Sequence, residues 1–378
     1  MNSMVRVSWV VVCLLCFPIS AWAEAEVDWQ PKSTRLFAVG LLEWQHPDIY
    51  SPFPAAQNNR SDAQLVKHFR QAGVPDEQIT YLQDGAATKQ AIQQALVEQL
   101  DASEEGELLV VYFAGHGYRK VDTGQTWFAC YDANEKYSSG WNVRNIFKTI
   151  ENHFNGDRVL FLIDCCHSGA VYDEAQTYRD SEIGYAVVTS CYSHNTSTGN
   201  WTFTESLLTG LRGSPLVDLN GDEVIDLQEL AHFNELELAF VEGQKSMYYA
   251  SRDFPRKTKL VGVRNTVTPR IGQRLEVLSE GKWYRAKTIA EKGELVKVHY
   301  MGYDDSWDEW VGPDRVRPFQ PVQFSQGDKV QVQWSRDKQW YPARVLNAWY
   351  GLHLIRYDGY DESSDEWVGP ASIRLRTR

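Results

Sequence analysis

The sequence predicts an α/β domain with a largely parallel sheet, followed by two small antiparallel β-barrels. Up to about residue 265, apolar segments of strand length alternate with amphipathic segments of helix length. This alternation is typical of a parallel sheet that is covered by helices. After residue 268 the composition changes, and the chain repeats itself with a period of 57 residues. The 378 residues suffice for one sizeable core and smaller modules.

The α/β part contains an ordered series of strand and helix patterns. Short apolar runs predict buried strands, and apolar residues at helical spacing predict helices. In the first helix, we expect Ser61 to be the N-cap and Gly73 to end the helix. The predicted strands are 34–44, 78–84, 107–117, 126–132, 158–164 and 185–191, and the predicted helices are 61–73, 88–100 and 142–154.

The repeat after residue 268 predicts two copies of one small all-β unit. Each copy contains W-Y-x-A, then Y-x-G-Y, then D-E-W-V-G-P. Short strands with alternating apolar residues, broken by Gly and Asp, indicate a small barrel in each copy. We assign these modules to residues 269–318 and 325–376.

Residues 1–23 have the pattern of a secretory signal peptide. Arg6 precedes the apolar run VSWVVVCLLCFPISA, and AWA at 21–23 provides the small residues of a cleavage site. The apolar run is short for a membrane span. We therefore expect cleavage after Ala23 and an exported protein, periplasmic or secreted, that keeps no membrane span. An uncleaved membrane anchor is the alternative.

Charge and cysteine content argue against several classes of function. The formal net charge is −12, which disfavours a nucleic-acid partner. The acidic excess lies in residues 24–268, where it attracts cationic substrates or only keeps the domain soluble. After residue 23 the sequence contains no C-x-x-C pair, so it indicates neither a zinc site nor a disulfide scaffold. The cysteines there are Cys130, Cys165, Cys166 and Cys191.

Two polar groups follow predicted buried strands. The third strand runs into AGHG, which contains His116, and the strand from Arg158 runs into DCCHSG, which contains Cys166. Chemistry in parallel α/β sheets occurs beyond the carboxyl ends of the strands. A thiol is a nucleophile only as a thiolate, and it needs a nearby base. His116 and Cys166 are therefore candidates for a base and a nucleophile.

The two adjacent cysteines are expected to have different roles. Side chains alternate between the faces of a strand, so Asp164 and Cys166 share one side. Cys165 shares the opposite side with Ile163, where it would be a small buried apolar residue.

Four segments of the α/β domain carry a resemblance to a known family. VVYFAGHG and LFLIDCCHSG resemble the histidine and cysteine motifs of caspase and metacaspase-like cysteine peptidases, especially prokaryotic ones. VVTSCYSHNTSTG and WTFTESLLTGL resemble the segments that follow the cysteine in that family. His116 also precedes Cys166 by 50 residues, a spacing described for caspases. The resemblance covers about residues 32–240, and we assign the caspase-like domain to residues 32–258.

The resemblance implies a cysteine endopeptidase with a Cys–His dyad. In the metacaspase motif Asp-Ser-Cys-His-Ser-Gly the third position is the nucleophile; it corresponds to Cys166, and Cys165 replaces the serine. His116 would assist thiolate formation and later protonate the leaving amine. Backbone N–H groups of Gly117 and Cys166 would hold the oxyanion. His167 is expected to be structural.

Two acidic residues determine the expected substrate class. Metacaspases use the aspartate that matches Asp164, together with one at the start of the first helix, to bind Arg or Lys at P1. Asp62 occupies the second position. Two carboxylates in one pocket favour a guanidinium or ammonium group. The expected partners are therefore protein or peptide substrates with a basic P1 residue, although Asp62 could instead interact only with the helix dipole.

The segment DLNGDEVIDLQE, residues 218–229, resembles an EF-hand calcium loop. Its sixth position, where that loop has glycine, is Glu223. The alternative is an acidic turn before a helix, with Asp226 as the N-cap. The expected chemistry requires no cofactor, and calcium is the candidate metal. Its candidate ligands are Asp218, Asn220, Asp222, Asp226 and Glu229.

The C-terminal modules resemble the Tudor-knot and chromo-barrel family of SH3-like barrels. The aromatic residues would form a cage that binds a methylated ammonium group through cation–π attraction. Alternatively, these side chains fill the core of a very small barrel. The ligand is unknown, and a peptide, a cationic protein or an envelope component suits an exported protein better than a histone tail. The candidate cage residues are Trp283, Tyr300, Tyr303, Trp307 and Trp310.

Two other functions are compatible with the sequence. A catalytically silent caspase-like scaffold would act as a binding or interaction protein, although intact His116 and Cys166 argue against it. A hydrolase of non-peptide amides or esters would use the same dyad.

Overall fold

The computed structural model describes residues 27–120, 122–264, 271–321, 323–334 and 337–376. The signal peptide expected at residues 1–23 lies outside these described residues. In the first domain the helices are α1 (Pro54–Gln57), α2 (Ser61–Ala72), α3 (Lys89–Asp101), α4 (Val143–His153), α5 (Gly169–Ala175), α6 (Thr202–Leu211) and α7 (Leu227–Val241). Its strands are β1 (Val27–Asp28), β2 (Thr34–Gly40), β3 (Ile79–Gln83), β4 (Leu108–Gly115), β5 (Gly117–Arg119), β6 (Thr126–Phe128), β7 (Trp141–Asn142), β8 (Arg158–Cys165), β9 (Gly184–Thr189), β10 (Val224–Asp226), β11 (Met247–Ala250) and β12 (Thr258–Gly262).

A six-stranded sheet forms the centre of the first domain, with the strand order β11-β9-β8-β4-β2-β3. Its inner pairs are parallel, and only β11 runs antiparallel to its neighbour β9. This arrangement confirms the predicted α/β domain with a largely parallel sheet. The strand predicted at 126–132 is only β6, and it pairs with β5 and β7 in a separate small sheet. Strands β1, β12 and β10 form a third sheet.

Both faces of the central sheet are buried. Phe113 and Ile163 contribute to the core cluster that includes residues of α3, α4 and α5. Tyr112 and Leu162, one position earlier on the same strands, lie in the opposite cluster with residues of α2, α6 and α7. Strands buried on both faces are continuously apolar, which is why these segments stand out in the sequence.

The ends of α2 correct one prediction and confirm another. Ser61 is the first helical residue rather than the cap, because Arg60 takes the N-cap position. The Ser61 hydroxyl instead donates to Glu205 at 3.4 Å, so its side chain is used in packing against α6. Gly73 ends the helix with a φ of 107°, a left-handed conformation that glycine adopts without steric cost.

The C-terminal part contains two antiparallel sheets of five strands, consistent with small barrels. Their strand orders, β16-β15-β14-β13-β17 and β21-β20-β19-β18-β22, are equivalent, as expected for a repeat. Barrel 1 contains β13 (Arg274–Ser279), β14 (Lys282–Lys292), β15 (Leu295–Tyr300), β16 (Glu309–Val311) and β17 (Val316–Pro318). Barrel 2 contains β18 (Lys329–Gln333), β19 (Trp340–Trp349), β20 (Leu352–Tyr357), β21 (Glu366–Val368) and β22 (Ile373–Leu375).

Both barrels contact the first domain at or near α7. In barrel 1, Arg274 and Lys287 form ion pairs with Glu237 of α7, the first at 3.1 Å. In barrel 2, Leu352 and Trp367 form an apolar cluster with Ala239. Among the described residues, no helix combines the length and the apolar content that a membrane crossing needs.

Candidate active site

The candidate catalytic residues follow two neighbouring strands of the central sheet. Strands β4 and β8 are parallel and paired, with Gly115 opposite Cys165. The next residues along the two strands are His116 and Cys166. The register of the sheet therefore brings His116 and Cys166 to the same end of the sheet, where β4 and β8 have their carboxyl ends.

Gly117 is packed against the backbone of the candidate nucleophile. A Cβ atom at this position would lie 2.0 Å from the Cys166 carbonyl oxygen and 3.0 Å from Cys165 Sγ. Because a distance of 2.0 Å to a backbone oxygen is sterically forbidden, only glycine fits without a shift of the backbone. This close approach lets the chain after His116 pass directly beside Cys166.

His116 is held by a backbone carbonyl and enclosed by aromatic rings. Its Nε2 lies 2.8 Å from the carbonyl oxygen of Ser51. Since a carbonyl only accepts, Nε2 carries the proton, and in the neutral ring Nδ1 is left to accept one. The rings of Trp44 and Phe53 lie 4.4 Å and 4.6 Å from the imidazole. Burial lowers the pKa of His116, so the ring is neutral at pH 7 and suited to act as a base.

The thiol of Cys166 is bound by the loop that follows β9. The backbone N–H of Ser197 donates to Sγ at 3.3 Å, and Sγ lies 3.6 Å from the Ser197 carbonyl oxygen. Burial raises the pKa of the Cys166 thiol, and the hydrogen bonding with Ser197 opposes this effect. The directions of the two pKa shifts favour a thiol at Cys166 and a neutral imidazole at His116.

The neighbours of Cys166 have structural contacts. Cys165 is 2% exposed and packs with Ile163 in the core, as the strand alternation predicts. Burial raises the pKa of the Cys165 thiol well above its ordinary value, which makes it a poor nucleophile. His167 adopts a φ of 59°, and its Nδ1 lies 3.0 Å from the Ser193 carbonyl oxygen. All four cysteines in the described part of the chain are free thiols.

Asp164 lines a narrow cavity at the end of β4. The cavity has a volume of about 30 Å³, and its walls include Gly115 and Trp201. This volume holds one or two water molecules. The hydroxyl of Thr204 donates to Asp164 Oδ2 at 2.8 Å. Burial raises the pKa of Asp164 to about 7, because the carboxylate has lost most of its hydration.

Asp62 is bound by a cation of the protein itself. It is fully buried, and Nη2 of Arg60 lies 2.7 Å from its Oδ2. The Tyr81 hydroxyl donates to the same oxygen at 2.7 Å, and Arg60 also donates to the Gly40 carbonyl at 2.9 Å. Among the described residues, those that line the cavity of Asp164 do not include Asp62. Both carboxylates nevertheless act on the buried hydroxyl of Tyr112, so they approach the same part of the domain from different contacts.

The calcium-like loop brings three of its five candidate ligands together. Asp218, Asp222 and Glu229 have carboxylate oxygens within 4.8 Å of one another. Asp226 Oδ1 instead accepts from the Glu229 N–H at 2.8 Å and caps α7, as the alternative interpretation predicts. The Oδ1 of Asn220 accepts from the Asp222 N–H at 2.8 Å.

The sixth position of this loop keeps the backbone shape of an EF-hand without its glycine. Glu223 has a φ of 65°, in the left-handed region that the invariant glycine of an EF-hand makes accessible. A side chain in this conformation costs about 1 kcal/mol. The loop geometry is thus compatible with the resemblance, at some cost in stability.

In barrel 1, three of the five expected cage residues form one aromatic cluster. Tyr303 lies 6.3 Å from Tyr300 and 5.6 Å from Trp307, both at steep angles. Tyr284, which the sequence analysis left out, joins them at 6.1 Å from Tyr300. The cluster consists of Tyr284, Tyr300, Tyr303 and Trp307.

Trp283 and Trp310 of barrel 1 are placed differently. Trp283 and Tyr284 are adjacent on β14 and therefore point to opposite faces. The Trp283 ring packs against the guanidinium of Arg317, 4.0 Å from the ring centre. Trp310 is 43% exposed.

Barrel 2 contains an equivalent cluster that the sequence analysis missed. Tyr341 lies 6.1 Å from Trp334 and 6.3 Å from Tyr357, and Tyr360 lies 6.3 Å from Tyr357. The three tyrosines occupy the repeat positions of Tyr284, Tyr300 and Tyr303. The repeat itself was the signal that would have identified them. We call Trp334, Tyr341, Tyr357 and Tyr360 the barrel 2 aromatic cluster.

The family assignment agrees with this architecture. The family model of the caspase domain matches residues 53–258, which is more than half of the chain. The protein therefore belongs to the caspase-domain family of cysteine peptidases. The model of the Agenet domain, a Tudor-like module, matches residues 272–321, which contain barrel 1.

Similarities to individual proteins are short or distant. The chain resembles protein GSU0716 from Geobacter sulfurreducens with a TM-score of 0.43 and 13% identity, over 61% of this chain and 100% of that one. It also resembles AGD34 of AGDP1 from Arabidopsis thaliana with a TM-score of 0.14 and 21% identity, over 28% of this chain and 81% of that one. A segment of 28 residues is 57% identical to the chromatin modification-related protein EAF3 from Kluyveromyces lactis, covering 7% of this chain. The match spans only 8% of the length of that relative.

Proposed function

We propose that the protein is an exported cysteine endopeptidase that cleaves peptide bonds after Arg or Lys. The observation that supports this proposal is the register of β4 and β8, which ends with Gly115 opposite Cys165, one residue before His116 and Cys166 on the two strands. The contact between His116 Nε2 and the Ser51 carbonyl adds to it, because it leaves Nδ1 as the proton acceptor. Export rests on the pattern of residues 1–23.

The proposed reaction uses the dyad twice. His116 removes the proton of the Cys166 thiol, and the thiolate attacks the carbonyl carbon of the scissile bond. Backbone N–H groups of Gly117 and Cys166 stabilise the oxyanion. The protonated imidazole then gives its proton to the leaving amine, and an acyl-enzyme remains. Water, deprotonated by the same imidazole, hydrolyses the thioester and restores the thiol.

Substitution of each cysteine tests the proposal. Cys166→Ala should lower kcat/KM on an Arg-terminated reporter peptide by at least about 10³-fold, since the nucleophile is lost. Cys165→Ala is the matched control and should keep most of the activity, because Cys165 faces the core. Retained cleavage by Cys166→Ala would overturn the assignment of the nucleophile. Faster cleavage of an Asp-terminated reporter would overturn the proposed specificity.

Asp164 is the group proposed to attract the basic P1 residue. Its pKa of about 7 means that the carboxyl becomes charged as the pH rises through 7, so the KM for an Arg reporter should fall between pH 6 and pH 8. A reporter with norleucine at P1 should not show this fall. Asp164→Asn should lower kcat/KM for the Arg reporter by about 10- to 100-fold. Asp62, already paired with Arg60, is expected to act on the fold around α2.

A catalytically silent scaffold is the second candidate. The small volume beside Asp164 favours it, because a cavity of about 30 Å³ is too small for an Arg or Lys side chain unless its walls move. An arginyl chloromethylketone distinguishes the two functions, since it needs both an open pocket and a reactive thiol. Labelling of Cys166, located by peptide mass mapping, would exclude the scaffold. Absence of labelling in a folded protein would favour it.

We also propose that the loop at 218–229 binds calcium. The supporting observation is the convergence of the Asp218, Asp222 and Glu229 carboxylates. Oxygen ligands of this kind suit a hard divalent cation. Calcium at 1 mM should raise the melting temperature of the protein, and Asp218→Asn should abolish the rise. An equal rise with magnesium, or none with calcium, would contradict the proposal.

Export can be tested separately from catalysis. Sequencing of the mature N-terminus after expression in a bacterial host should begin near Glu24, and an intact N-terminus would contradict cleavage after Ala23. The aromatic cluster of barrel 1 is proposed to bind a cationic group of a peptide or protein, which is the chemistry that a set of steeply inclined rings favours.

A further inference from the structure

A cavity of about 340 Å³ lies between barrel 2 and the loops of the caspase-like domain. The barrel 2 aromatic cluster, Trp334, Tyr341, Tyr357 and Tyr360, forms one wall. His167 and Thr196 belong to the opposite wall. The cavity is thus shared by two domains, and its volume is in the lower part of the range of small-ligand sites.

The caspase-like wall of this cavity is directly connected to the candidate active site. His167 is the residue after Cys166. Thr196 precedes Ser197, whose N–H donates to Cys166 Sγ at 3.3 Å. An extended peptide advances about 3.3 Å per residue. A polypeptide bound at Cys166 therefore needs only a few residues to place a side chain in the cavity.

The chemistry of the barrel wall favours a cation. Neighbouring rings of the cluster meet at 73° to 89°, with centres 6.1 to 6.3 Å apart, and all four side chains line the cavity. A Lys-type ammonium is attracted by such faces, more strongly when water is displaced. The Glu366 carboxylate, in a residue that is 7% exposed, also lines the cavity and accepts a hydrogen bond from Tyr357.

The other wall carries one positive group, which the protein holds in place. Arg119 lines the cavity, and its Nη2 lies 3.2 Å from His194 Nε2. The negative charge of Asp173 acts on the same guanidinium. Arg119 thus has partners in the caspase-like domain, while the aromatic side chains and Glu366 belong to the barrel side.

The contact between the two walls fixes the shape of the cavity. The side-chain amide of Asn195 donates to the Trp367 carbonyl at 2.9 Å and accepts from the Trp367 N–H at 3.0 Å. The Nδ1 of His194 lies 2.8 Å from the Asp365 carbonyl oxygen. The loop segment 194–197 thus contacts barrel 2 at one end and the thiol at the other.

We propose that this cavity is a substrate subsite for a lysine-type ammonium side chain, plain or methylated, of the polypeptide that is cleaved at Cys166. The inference rests on the proposed peptidase function. Barrel 2 then selects substrates by a second basic residue a few positions from the scissile bond. Substrates with two cations at a fixed spacing would be bound and cleaved in preference to substrates with one.

Binding to the inactive full-length Cys166→Ala protein tests the subsite without catalysis. The probes are fluorescent decapeptides with Arg at P1 and one lysine moved through the flanking positions, each paired with a norleucine peptide of equal length. At one or two positions, lysine should lower the Kd about 3- to 30-fold relative to norleucine. No lysine preference at any position would overturn the proposal.

Aromatic substitutions locate the effect. Tyr360→Ala, in the Cys166→Ala background, should remove the lysine preference, and Tyr360 is 63% exposed, so the barrel core is preserved. Trp340→Ala is the matched control, because this ring of the same barrel packs on Arg374 instead. Equal loss in both variants would overturn the location of the subsite.

Cleavage by the active protein separates the subsite from the peptidase proposal. If kcat/KM is the same for lysine and norleucine peptides, the subsite fails and the peptidase remains. If no peptide is cleaved but Tyr360→Ala still abolishes a lysine-dependent Kd, the peptidase fails and the cation-binding cavity remains.

Discussion

The two barrels contain the same hexapeptide D-E-W-V-G-P, yet its tryptophan has different surroundings in each. Trp310 of barrel 1 is 43% exposed, whereas Trp367 of barrel 2 is 9% exposed and packs against α7. Barrel 1 contacts the same helix through other strands, by ion pairs of Arg274 and Lys287 with Glu237. A repeat therefore fixes the shape of each module, but each module uses a different face to contact the caspase-like domain.

The face that barrel 2 uses lies next to the loop of the candidate active site. The apolar contact of barrel 2 includes Tyr192, in the loop that also contains Ser197 and therefore reaches Cys166. The ion pairs of barrel 1 lie on a helix whose far end carries the capped acidic loop. Barrel 2 is therefore the module expected to influence catalysis directly.

Removal of the buried Trp367 should produce the largest difference in stability between equivalent substitutions in the two barrels. Trp367→Ala is expected to lower the free energy of unfolding by about 3–5 kcal/mol, since it leaves a cavity at the interface. Trp310→Ala, at the same repeat position, should change it by less than about 0.5 kcal/mol. Urea unfolding measures both values. Similar losses in the two variants would show that the barrels are docked alike.

Loss of the hydrogen bonds between Asn195 and barrel 2 should have the next largest effect on stability. Asn195→Ala leaves the N–H and the carbonyl of Trp367 without this partner, at a cost of about 2 kcal/mol. Asn195→Asp keeps the acceptor but turns a carboxylate oxygen toward the Trp367 carbonyl, so it should lose at least as much. Both variants should also lower kcat/KM, because Asn195 belongs to the thiol-binding loop. Unchanged urea midpoints would contradict the inferred contact.

Alanine at Gly369, which closely approaches Gly243, should have a smaller effect on stability. Alanine at the equivalent glycine of barrel 1 is the matched control. A Cβ at Gly369 would lie 3.1 Å from the Cα and the carbonyl oxygen of Gly243, in backbone that cannot easily yield. Gly369→Ala should therefore cost about 1–2 kcal/mol. At Gly312, the same position of barrel 1, a Cβ would clash with the movable side chain of Asp314 and meet Leu295 at an ordinary contact distance of 3.9 Å. Gly312→Ala should be nearly neutral in urea unfolding, and an equal cost would contradict the comparison.

Added salt should produce the smallest difference between the stabilities of the two barrel contacts. Raising the ionic strength from 0.1 M to 1 M shortens the Debye length from about 10 Å to about 3 Å. The barrel 1 contact, which includes the ion pairs with Glu237 beside the packing of Phe319 on Phe240, should weaken by a few tenths of a kcal/mol. The apolar barrel 2 contact should not weaken. Hydrogen exchange at β13 and β14 should speed up with salt, and faster exchange at β20 and β21 instead would reverse the assignment.

The sequence predicted the candidate dyad because it depends on strand patterns and on residue types next to strand ends. The carbonyl of Ser51, which binds His116, was not predictable, since backbone groups of a loop carry no signal in the sequence. The pairing of Asp62 with Arg60 was missed for a related reason: an acid near a helix start has the same pattern whether its partner is a substrate or a neighbouring side chain. The prediction of Ser61 as the N-cap was wrong, because the Ser61 hydroxyl donates to Glu205 of α6 instead.

By itself, the sequence determined the α/β domain, the repeat, and the separation of Cys165 from Cys166, because hydrophobic periodicity and strand alternation are local properties. Only the tertiary structure decided that Trp367 is buried while Trp310 is exposed. It also decided that the barrel 2 aromatic cluster faces the loop that binds Cys166. Such placements depend on which surfaces of separate modules are complementary, and identical local sequences carry no information about that choice.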